Sequence, residues 1–183
     1  MASEILIGVS GGVAAYKSAV LVSRLVQDGH TVSVVMTRAA RRFVGPATFE
    51  ALTGRMVPRS VFSSHHPLGP HIELAAARLM CIAPATANTL AKAASGLAND
   101  LLSTLILSCH GPVLLAPAMN CQMWGKPAVQ RNLATLVEDG FEIVNPEEGW
   151  LSCRERGVGR MAAPERIAEA IDRALARGNG VMG

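Results

Sequence analysis

The sequence contains few aromatic residues and few charges. Four Phe, two Trp and one Tyr are the only aromatic residues among 183, and charged residues make up 17% of the chain. The net charge is +3, and the basic residues are scattered apart from Arg38, Arg41 and Arg42. Nucleic-acid binding usually relies on a clustered basic face, often with stacking aromatic side chains. This class of function is therefore disfavoured.

Long hydrophobic runs and cysteine motifs are also lacking. Gly, Ser, Pro or a charge interrupts each apolar stretch before the roughly 20 residues that span a membrane. The N-terminus carries Glu4 where a secretory signal carries basic residues, so we expect a first strand there and a cytoplasmic location. The cysteines at 81, 109, 121 and 153 form no CxxC pair and have no His at a metal-ligand spacing. Neither a disulfide framework nor a metal site is expected.

Apolar residues, in contrast, are abundant. They make up 50% of the chain, and the mean hydropathy is +0.30, which excludes a disordered polypeptide. The length predicts one domain, which we assign to residues 1–178, followed by a disordered tail at 179–183. An apolar excess in a small protein indicates further burial between subunits, so we expect a homo-oligomer.

Short apolar runs alternate with amphipathic stretches along the chain. This pattern predicts an α/β fold, namely a Rossmann-like doubly wound parallel sheet in a single domain. Strands are predicted at 5–9, 31–36, 79–83, 112–116 and 141–144, and helices at 14–27, 87–95, 100–108, 127–139 and 164–177. The segments 55–70 and 145–161 are predicted to be irregular, and loops of this length are usually functional or mobile.

Small polar residues follow four of the predicted strands. They are Ser10-Gly11-Gly12 after the first strand, Thr37 after the second, PATANT at 84–89 after the third and PAMN at 117–120 after the fourth. In a doubly wound sheet these turns share the carboxyl edge, where backbone N–H groups and helix N-termini favour anions. The residues alone therefore predict an anionic, nucleotide-like cofactor over this edge.

Each of these motifs also has a purely structural explanation. The turn at 10–12 lacks the third glycine of GxGxxG and the GK[ST] ending of a P-loop, so ATP hydrolysis is not expected. Thr86 and Asn120 are ordinary N-cap residue types. A lone His such as His71 is more often a surface or core residue than a catalyst, and a lone loop cysteine such as Cys153 can be inert.

Five segments taken together carry a more specific signal. They are GVSGGVAAYK at 8–17, HI at 71–72, APATANTLAKAASGLANDLL at 83–102, APAMNCQMW at 116–124 and SCRERGVGRM at 152–161. In this order they resemble the homo-oligomeric flavin-containing Cys decarboxylases, and within them the phosphopantothenoylcysteine decarboxylases of coenzyme A biosynthesis. The resemblance runs from about residue 4 to residue 175. Its most specific parts are PAMNxxMW and CxxxGxGRM.

This resemblance implies a flavoprotein fold with bound FMN, assembled as a homotrimer or a trimer-based homododecamer. The implied FMN contacts are Ser10, Gly11, Gly12, Val13, Thr37, Pro84, Ala85, Thr86, Ala87, Asn88 and Thr89. The implied substrate contacts are Ala118, Met119, Asn120, Gly159, Arg160 and Met161. By the same resemblance, His71 is the catalytic base near the flavin, and Cys153 is the thiol acid on a flexible substrate clamp.

The implied reaction is the decarboxylation of 4'-phosphopantothenoylcysteine to 4'-phosphopantetheine. Oxidation of the CH2–S carbon by FMN yields a thioaldehyde, whose C=S group is an electron sink that lets CO2 leave, and the ene-thiol is then reduced. His71 would take the thiol proton. Asn120 would hold the carboxylate through its N–H2 group without adding a charge. Cys153 would protonate the ene-thiol.

Two other functions are compatible with the same fold. Relatives that decarboxylate C-terminal Cys of lantibiotic-type peptides release the ene-thiol unreduced, and a clamp thiol at Cys153 favours the coenzyme A reaction over theirs. A non-catalytic FMN-binding regulatory protein is the third alternative. The presence of His71, Asn120 and Cys153 disfavours it.

The sequence departs from the family pattern at two places. Arg154 follows Cys153 where the clamp usually has Gly, and the segment 73–79 lacks the Arg, Trp and Asp that commonly follow HI. Arg78 or Lys17 is a possible substitute for the lost basic charge. The sequence ends before any ligase domain of the kind often fused to this family, and we expect that activity on another polypeptide.

Overall fold

A five-stranded parallel sheet forms the centre of the molecule, in the strand order β2-β1-β3-β4-β5. The computed structural model describes residues 4–62 and 66–178. The strands are β1 (Glu4–Val9), β2 (Thr31–Met36), β3 (Leu79–Ala85), β4 (Val113–Pro117) and β5 (Glu142–Ile143). A separate antiparallel hairpin pairs β6 (Glu147–Trp150) with β7 (Arg156–Arg160).

Eight α-helices lie in the described residues. They are α1 (Ala15–Gln27), α2 (Pro46–Thr53), α3 (Pro70–Glu73), α4 (Ala87–Ala94), α5 (Leu101–Ser108), α6 (Cys121–Trp124), α7 (Pro127–Glu138) and α8 (Pro164–Gly178). Short 3-10 turns cover Ala40–Arg42 and Leu74–Ala76. No helix in the described ranges has the length and apolar character to cross a membrane.

Helices cover both faces of the sheet, which explains why its central strands are apolar almost throughout. Alternate residues of β1 point to opposite faces. Ile5 packs in one cluster with Leu21 of α1 and residues of α8, whereas Leu6 packs in a second cluster with Leu102 of α5 and residues of α4 and α7. Strands buried on both faces are typical of parallel sheets. The expected Rossmann-like doubly wound sheet in a single domain is confirmed.

All five predicted strands and all five predicted helices are present, with ends shifted by no more than two residues. The described parts of 55–69 contain no helix or strand, as predicted. The expectation of an irregular 145–161 was wrong, because this segment forms the β6–β7 hairpin. Its strands EEGW and RGVGR lack apolar alternation, so the ladder depends on backbone pairing. The predicted tail at 179–183 lies outside the described residues.

The strand order reverses between β1 and β3, and this reversal defines the place where ligands bind in such sheets. The chain leaves β1 for the edge strand β2 and returns to β3 on the other side of β1. The turns after β1 and β3 meet here: the Thr86 backbone N–H donates to Ser10 Oγ at 3.0 Å, and Ser10 Oγ donates to the Pro84 carbonyl at 2.7 Å. The carboxyl edge predicted to hold the site is therefore one continuous surface.

Candidate active site

A cavity of about 490 Å³ opens at this carboxyl edge, within the range typical of small-molecule sites. Its walls come from the turn after β1, the start of α4, the turn after β4 and the β6–β7 hairpin. All six predicted substrate contacts line it: Ala118, Met119, Asn120, Gly159, Arg160 and Met161. Six of the predicted cofactor contacts line it as well: Gly11, Gly12, Val13, Thr86, Ala87 and Asn88.

The other predicted cofactor contacts, Ser10, Thr37, Pro84, Ala85 and Thr89, are not among the residues that line this cavity. Ser10 is buried and its hydroxyl is engaged in the β1–β3 contact described above. Thr37 Oγ1 accepts the Ala40 backbone N–H at 3.1 Å and so caps the 3-10 turn after β2. These side chains hold the turns in place, and their contact with a cofactor stays a prediction.

Gly11 is required by the close approach of two turns. A Cβ at this position would collide with the Ala39 side chain in the turn after β2. The second glycine of the pair, Gly12, has open space on the cavity side, where the nearest atom to an added Cβ is Thr86 Cγ2 at 3.6 Å. The glycine pair therefore brings backbone to the cavity without filling it with side chains.

The N-terminus of α1 provides the strongest anion-binding feature at the site. Its N-cap, Ala14, makes no side-chain capping hydrogen bond within the described chain, and the first turn has no acidic residue. The residues before this helix, Gly12–Ala14, line the cavity. The N-terminus of α4 differs, because Thr86 Oγ1 caps it by accepting the Thr89 N–H at 3.4 Å. The Ala15 and Lys17 N–H groups donate to the Gly12 and Ala14 carbonyls, so it is the positive end of the helix dipole that favours an anion at α1.

Two cations add to this positive potential. Among the described residues that line the cavity, only Lys17 and Arg160 are charged. Lys17 is 8% exposed, and its Nζ donates to the Met161 carbonyl at 3.0 Å. Burial lowers the pKa of Lys17, and the Arg160 guanidinium lowers it further, whereas Glu147 and Glu165 raise it. The cavity therefore matches a ligand that carries negative charge.

Asn120 lies between β4 and α6 and uses the two ends of its amide differently. Its Oδ1 accepts the Gln122 backbone N–H at 2.7 Å and thereby caps α6. Because the oxygen occupies the cap, the N–H2 group is left as a donor. Asn120 therefore caps α6 as its residue type predicts, and its contact with a substrate carboxylate stays a prediction.

Close backbone packing fixes the β6–β7 hairpin to the turn that carries Asn120. The Met119 N–H donates to the Gly159 carbonyl at 2.9 Å. Gly159 has a φ of 146°, and a Cβ there would collide with the Met119 carbonyl oxygen. An added Cβ at Gly157 would lie 2.8 Å from Cys121 Cβ. The glycine spacing of GxGRM is therefore required by this contact.

Cys153 lies at the exposed tip of the hairpin, close to the cavity but outside its lining. Its neighbours Leu151 and Ser152 do line the cavity. Cys153 Sγ donates to Glu155 Oε2 at 3.8 Å. All four cysteines of the chain are free thiols. The hairpin therefore holds the predicted thiol acid at the rim of the site.

His71 lies on α3 and does not line the cavity of its own chain. It is half-buried, its carbonyl accepts Ser108 Oγ at 3.2 Å, and its Nδ1 is buried with no hydrogen-bond partner in residues 4–62 and 66–178. The preceding turn is held by Glu73, whose Oε2 lies 2.7 Å from His66 Nδ1. One chain thus brings Asn120 and Cys153 together, but not His71. The catalytic assignment of His71 stays a prediction.

Several residues that line the cavity were not predicted to bind cofactor or substrate. They are Ala14, Tyr16, Lys17, Met123, Trp150, Leu151 and Ser152. Tyr16 and Lys17 belong to the motif at 8–17 and follow the start of α1, so their place in that motif could have predicted that they line the cavity. Trp150 and Leu151 belong to the hairpin, whose residues show no periodic apolar pattern.

Comparison with known proteins agrees with this geometry. The family model described as Flavoprotein matches residues 2–176. The chain is 49% identical over 167 residues to the coenzyme A biosynthesis bifunctional protein CoaBC of Vibrio cholerae, a match that covers 90% of this chain and 42% of that protein. The chain thus spans less than half the length of the curated relatives it matches.

Two solved structures are similar over nearly the whole chain. The FMN-dependent cysteine decarboxylase SpaF is 38% identical with a TM-score of 0.82, and the match covers 97% of each chain. A PPC decarboxylase mutant complexed with pantothenoylaminoethenethiol is 30% identical with a TM-score of 0.84, over 94% of this chain and 98% of that one. The chain therefore belongs to the Flavoprotein family, and its predicted membership of the flavin-containing Cys decarboxylases is confirmed.

Proposed function

We propose that this protein is an FMN-dependent carboxy-lyase that converts 4'-phosphopantothenoylcysteine to 4'-phosphopantetheine in coenzyme A biosynthesis. The observation that carries the proposal is the single cavity shared by the Gly11-Gly12 turn, Asn120 and Arg160. The relatives named for coenzyme A biosynthesis and the similar PPC decarboxylase structure support it.

The residues at the carboxyl edge fit FMN. The phosphate would lie against the N-terminus of α1 at Gly12–Ala14, which lines the cavity and is followed by a first turn without acidic residues. Thr86, Ala87 and Asn88 would contact the remainder of the cofactor from the start of α4. When bound, FMN supplies a reversible hydride acceptor for the CH2–S carbon of the substrate.

The chain's own residues then act on the carboxylate. The Asn120 N–H2 group would hold the carboxylate by hydrogen bonds. Because the amide is neutral, it would not stabilise the carboxylate as strongly as a cation, which would oppose the loss of CO2. Lys17 and Arg160 would attract the anionic substrate to the cavity and balance its phosphate. Met161 and Gly159 would cover the substrate from the hairpin side.

Cys153 would complete the cycle as a proton donor. Its position at the hairpin tip, next to the lining residues Leu151 and Ser152, supports contact with a substrate that fills the cavity. Protonation of the ene-thiol carbon distinguishes a saturated thiol product from the ene-thiol that peptide-modifying relatives release. Replacing Cys153 with Ser should therefore leave CO2 release intact in a single turnover, give the ene-thiol in place of the saturated thiol and leave the flavin reduced.

We further propose that His71 acts from a neighbouring subunit in a homotrimer or homododecamer. Its imidazole lies outside the cavity of its own chain, so a second copy is the available source of a base. Val13 in the turn before α1 and Tyr16 and Val20 on α1 are exposed apolar residues, each about half exposed, and Val13 and Tyr16 also line the cavity. Exposed apolar residues next to a ligand site suit a subunit contact.

Incubation of purified protein with phosphopantothenoylcysteine, followed by mass spectrometry, tests the proposed function. The expected product has lost CO2 alone, and the protein is yellow with the two-band spectrum of a flavin. The control substrate is a peptide that ends in Cys. Loss of CO2 plus two hydrogens from the peptide, with no change in phosphopantothenoylcysteine, would show a peptidyl-cysteine decarboxylase. Protein that takes up FMN and alters neither substrate would indicate a regulatory flavoprotein.

A further inference from the structure

Two thiols share one carboxylate at the rim of the proposed active site. Cys121 Sγ donates to Glu155 Oε2 at 3.6 Å, and Cys153 Sγ donates to the same oxygen at 3.8 Å. We call Cys121, Cys153 and Glu155 the thiol–carboxylate cluster. Neither Cys121 nor Glu155 has a part in the reaction described above.

Both the hairpin and α6 build this cluster. The turn that joins β6 to β7 is closed by two backbone hydrogen bonds, Arg154 N–H to the Leu151 carbonyl and Leu151 N–H to the Glu155 carbonyl, each at 2.9 Å. Arg154 has a φ of 64°, which reverses the chain so that Cys153 and Glu155 face the same way. On the other side, Cys121 directly follows Asn120 and begins α6.

Packing of the hairpin on α6 brings the two parts together. An added Cβ at Gly157 would lie 3.3 Å from Cys121 Sγ, so the missing side chain leaves the space in which this sulfur sits. Glu155, two residues earlier on the hairpin, then reaches the same sulfur. The carboxylate therefore links the tip of the hairpin to the residue next to Asn120.

We propose that Glu155 is a positioning residue for the Cys153 thiol, fixing the hairpin tip that carries it against the start of α6, next to Asn120. This proposal rests on the proposed function. A carboxylate only accepts hydrogen bonds, so Glu155 accepts the S–H of Cys153 on one side and the S–H of Cys121 on the other and thereby restricts where the Cys153 thiol lies. When Cys153 gives its proton to the ene-thiol carbon, the S–H bond breaks, and the exposed sulfur regains a proton from water.

The effect of Glu155 on Cys121 supports this role. Partial burial raises the pKa of Cys121, and the hydrogen bond to Glu155 and the charge of that carboxylate raise it further. The nearby Cys153 adds to the same effect. The pKa of the Cys121 thiol is therefore a measure of how strongly Glu155 acts on the cluster. Because Cys121 has no part in the proposed reaction, this measure does not depend on turnover.

The first test measures the partition between the ene-thiol and the saturated thiol in Glu155→Gln. We expect the ene-thiol fraction to rise about threefold or more, with little change in the rate of CO2 release, since only the protonation step loses its positioned donor. Glu155→Asp should restore part of the wild-type partition. Glu148→Gln is the matched control, because Glu148 is an exposed glutamate on the same hairpin. An unchanged partition in Glu155→Gln contradicts the proposal.

The second test does not depend on turnover. In a Cys153→Ser background without substrate, alkylation of Cys121 by iodoacetamide is followed by peptide mass spectrometry. Glu155→Gln should speed it about two- to fivefold at neutral pH, because a lower pKa increases the thiolate fraction and exposed charges act weakly. An unchanged rate overturns the cluster. Faster alkylation in a protein with no decarboxylase activity would refute the proposed function and retain the cluster.

Discussion

Asn120 combines two tasks in one side chain, and its two amide atoms divide them. The oxygen caps α6 by accepting the Gln122 N–H, while the N–H2 group remains as a donor on a residue that lines the cavity. Because the cap needs only an acceptor and the proposed carboxylate contact needs a donor, a substitution can remove one without the other.

Asn120→Asp is the substitution that separates the two. Asp is as good an N-cap as Asn, so we expect the free energy of unfolding to change by less than about 1 kcal/mol. The rate of CO2 release should fall by about 100-fold or more, since the donor is lost and a like charge faces the substrate carboxylate. Urea unfolding and a CO2 assay measure the two effects.

Asn145→Asp serves as the control for this pair, because Asn145 is exposed and lies outside the cavity lining. It should leave both stability and CO2 release close to wild type. If Asn120→Asp retains normal decarboxylation, the carboxylate must be held elsewhere.

The β6–β7 hairpin depends on glycine at the scale of a whole element. Gly159 adopts a φ that L side chains rarely take, and its missing Cβ lets the strand approach the Met119 carbonyl. Five of the residues that line the cavity, Trp150, Leu151, Ser152, Gly159 and Arg160, are carried by this hairpin. Its attachment to the turn after β4 therefore decides whether the substrate side of the cavity forms.

Gly159→Ala should detach the hairpin from that turn. We expect the protein to lose about 1–3 kcal/mol of stability, because strained backbone and a backbone collision coincide. Turnover should fall strongly, whereas FMN binding at the start of α1 should persist. Gly45→Ala is the control, because Gly45 has an extended backbone and open space around its Cβ position. Wild-type turnover in Gly159→Ala would show that the contact is unimportant.

The start of α5 provides a pH-dependent element that is separate from the site. Asp100 accepts the Ser103 N–H in a capping box, and Lys92 Nζ lies 2.6 Å from its Oδ2. Burial alone would raise the pKa of Asp100, but the hydrogen bonds and charge of Lys92, together with Ser103, lower it overall. A lowered carboxyl pKa adds stability that is present above the unfolded-state pKa and lost as pH falls through the folded-state value.

Asp100→Asn keeps a capping acceptor and removes the charge. At pH 7 the variant should be less stable than wild type by up to about 1 kcal/mol, a modest value because the pair is partly exposed. At an acidic pH below the lowered folded-state pKa of Asp100, the difference should shrink toward zero, since the wild-type carboxyl is then protonated in both states. Urea unfolding at the two pH values measures it, and an equal difference at both would contradict the assigned origin of the shift.

The whole molecule raises the question of how His71 reaches a substrate. It lies on α3, outside the cavity of its own chain, although the chain matches the family over residues 2–176. In an assembly in which one subunit supplies His71 and another supplies Asn120, two different inactive variants complement each other. If both residues act within the site of one chain, the two variants do not complement each other.

Co-expression of His71→Asn with Asn120→Asp tests this arrangement. Each variant alone should be inactive, and mixed oligomers should recover about a quarter of wild-type activity, because about a quarter of the shared sites would pair two intact residues. Light scattering should give a mass that is a multiple of 19.2 kDa. Inactive mixed oligomers would show that His71 and Asn120 belong to one chain's site or that His71 is not catalytic.

By itself, the sequence determined the layers of the fold and much of the site. Hydrophobic periodicity reports burial against a sheet, so β1 to β5 and the helices on both faces could be read directly, and with them the carboxyl edge. The family resemblance of the motifs around Asn120 and Arg160 then predicted residues that line the cavity. The strands and helices are encoded locally, in the spacing of neighbouring residues.

Only the tertiary structure decided which residues line the cavity and which are held away from it by contacts with residues distant along the chain. Ser10 does not line the cavity because its hydroxyl bonds Pro84, 74 residues away. The hairpin forms because Gly159 meets Met119, a contact between backbones that leaves no apolar pattern in the sequence. The position of His71 outside its own cavity likewise follows from the packing of α3 on α5. Such contacts depend on three-dimensional proximity, which local spacing does not encode.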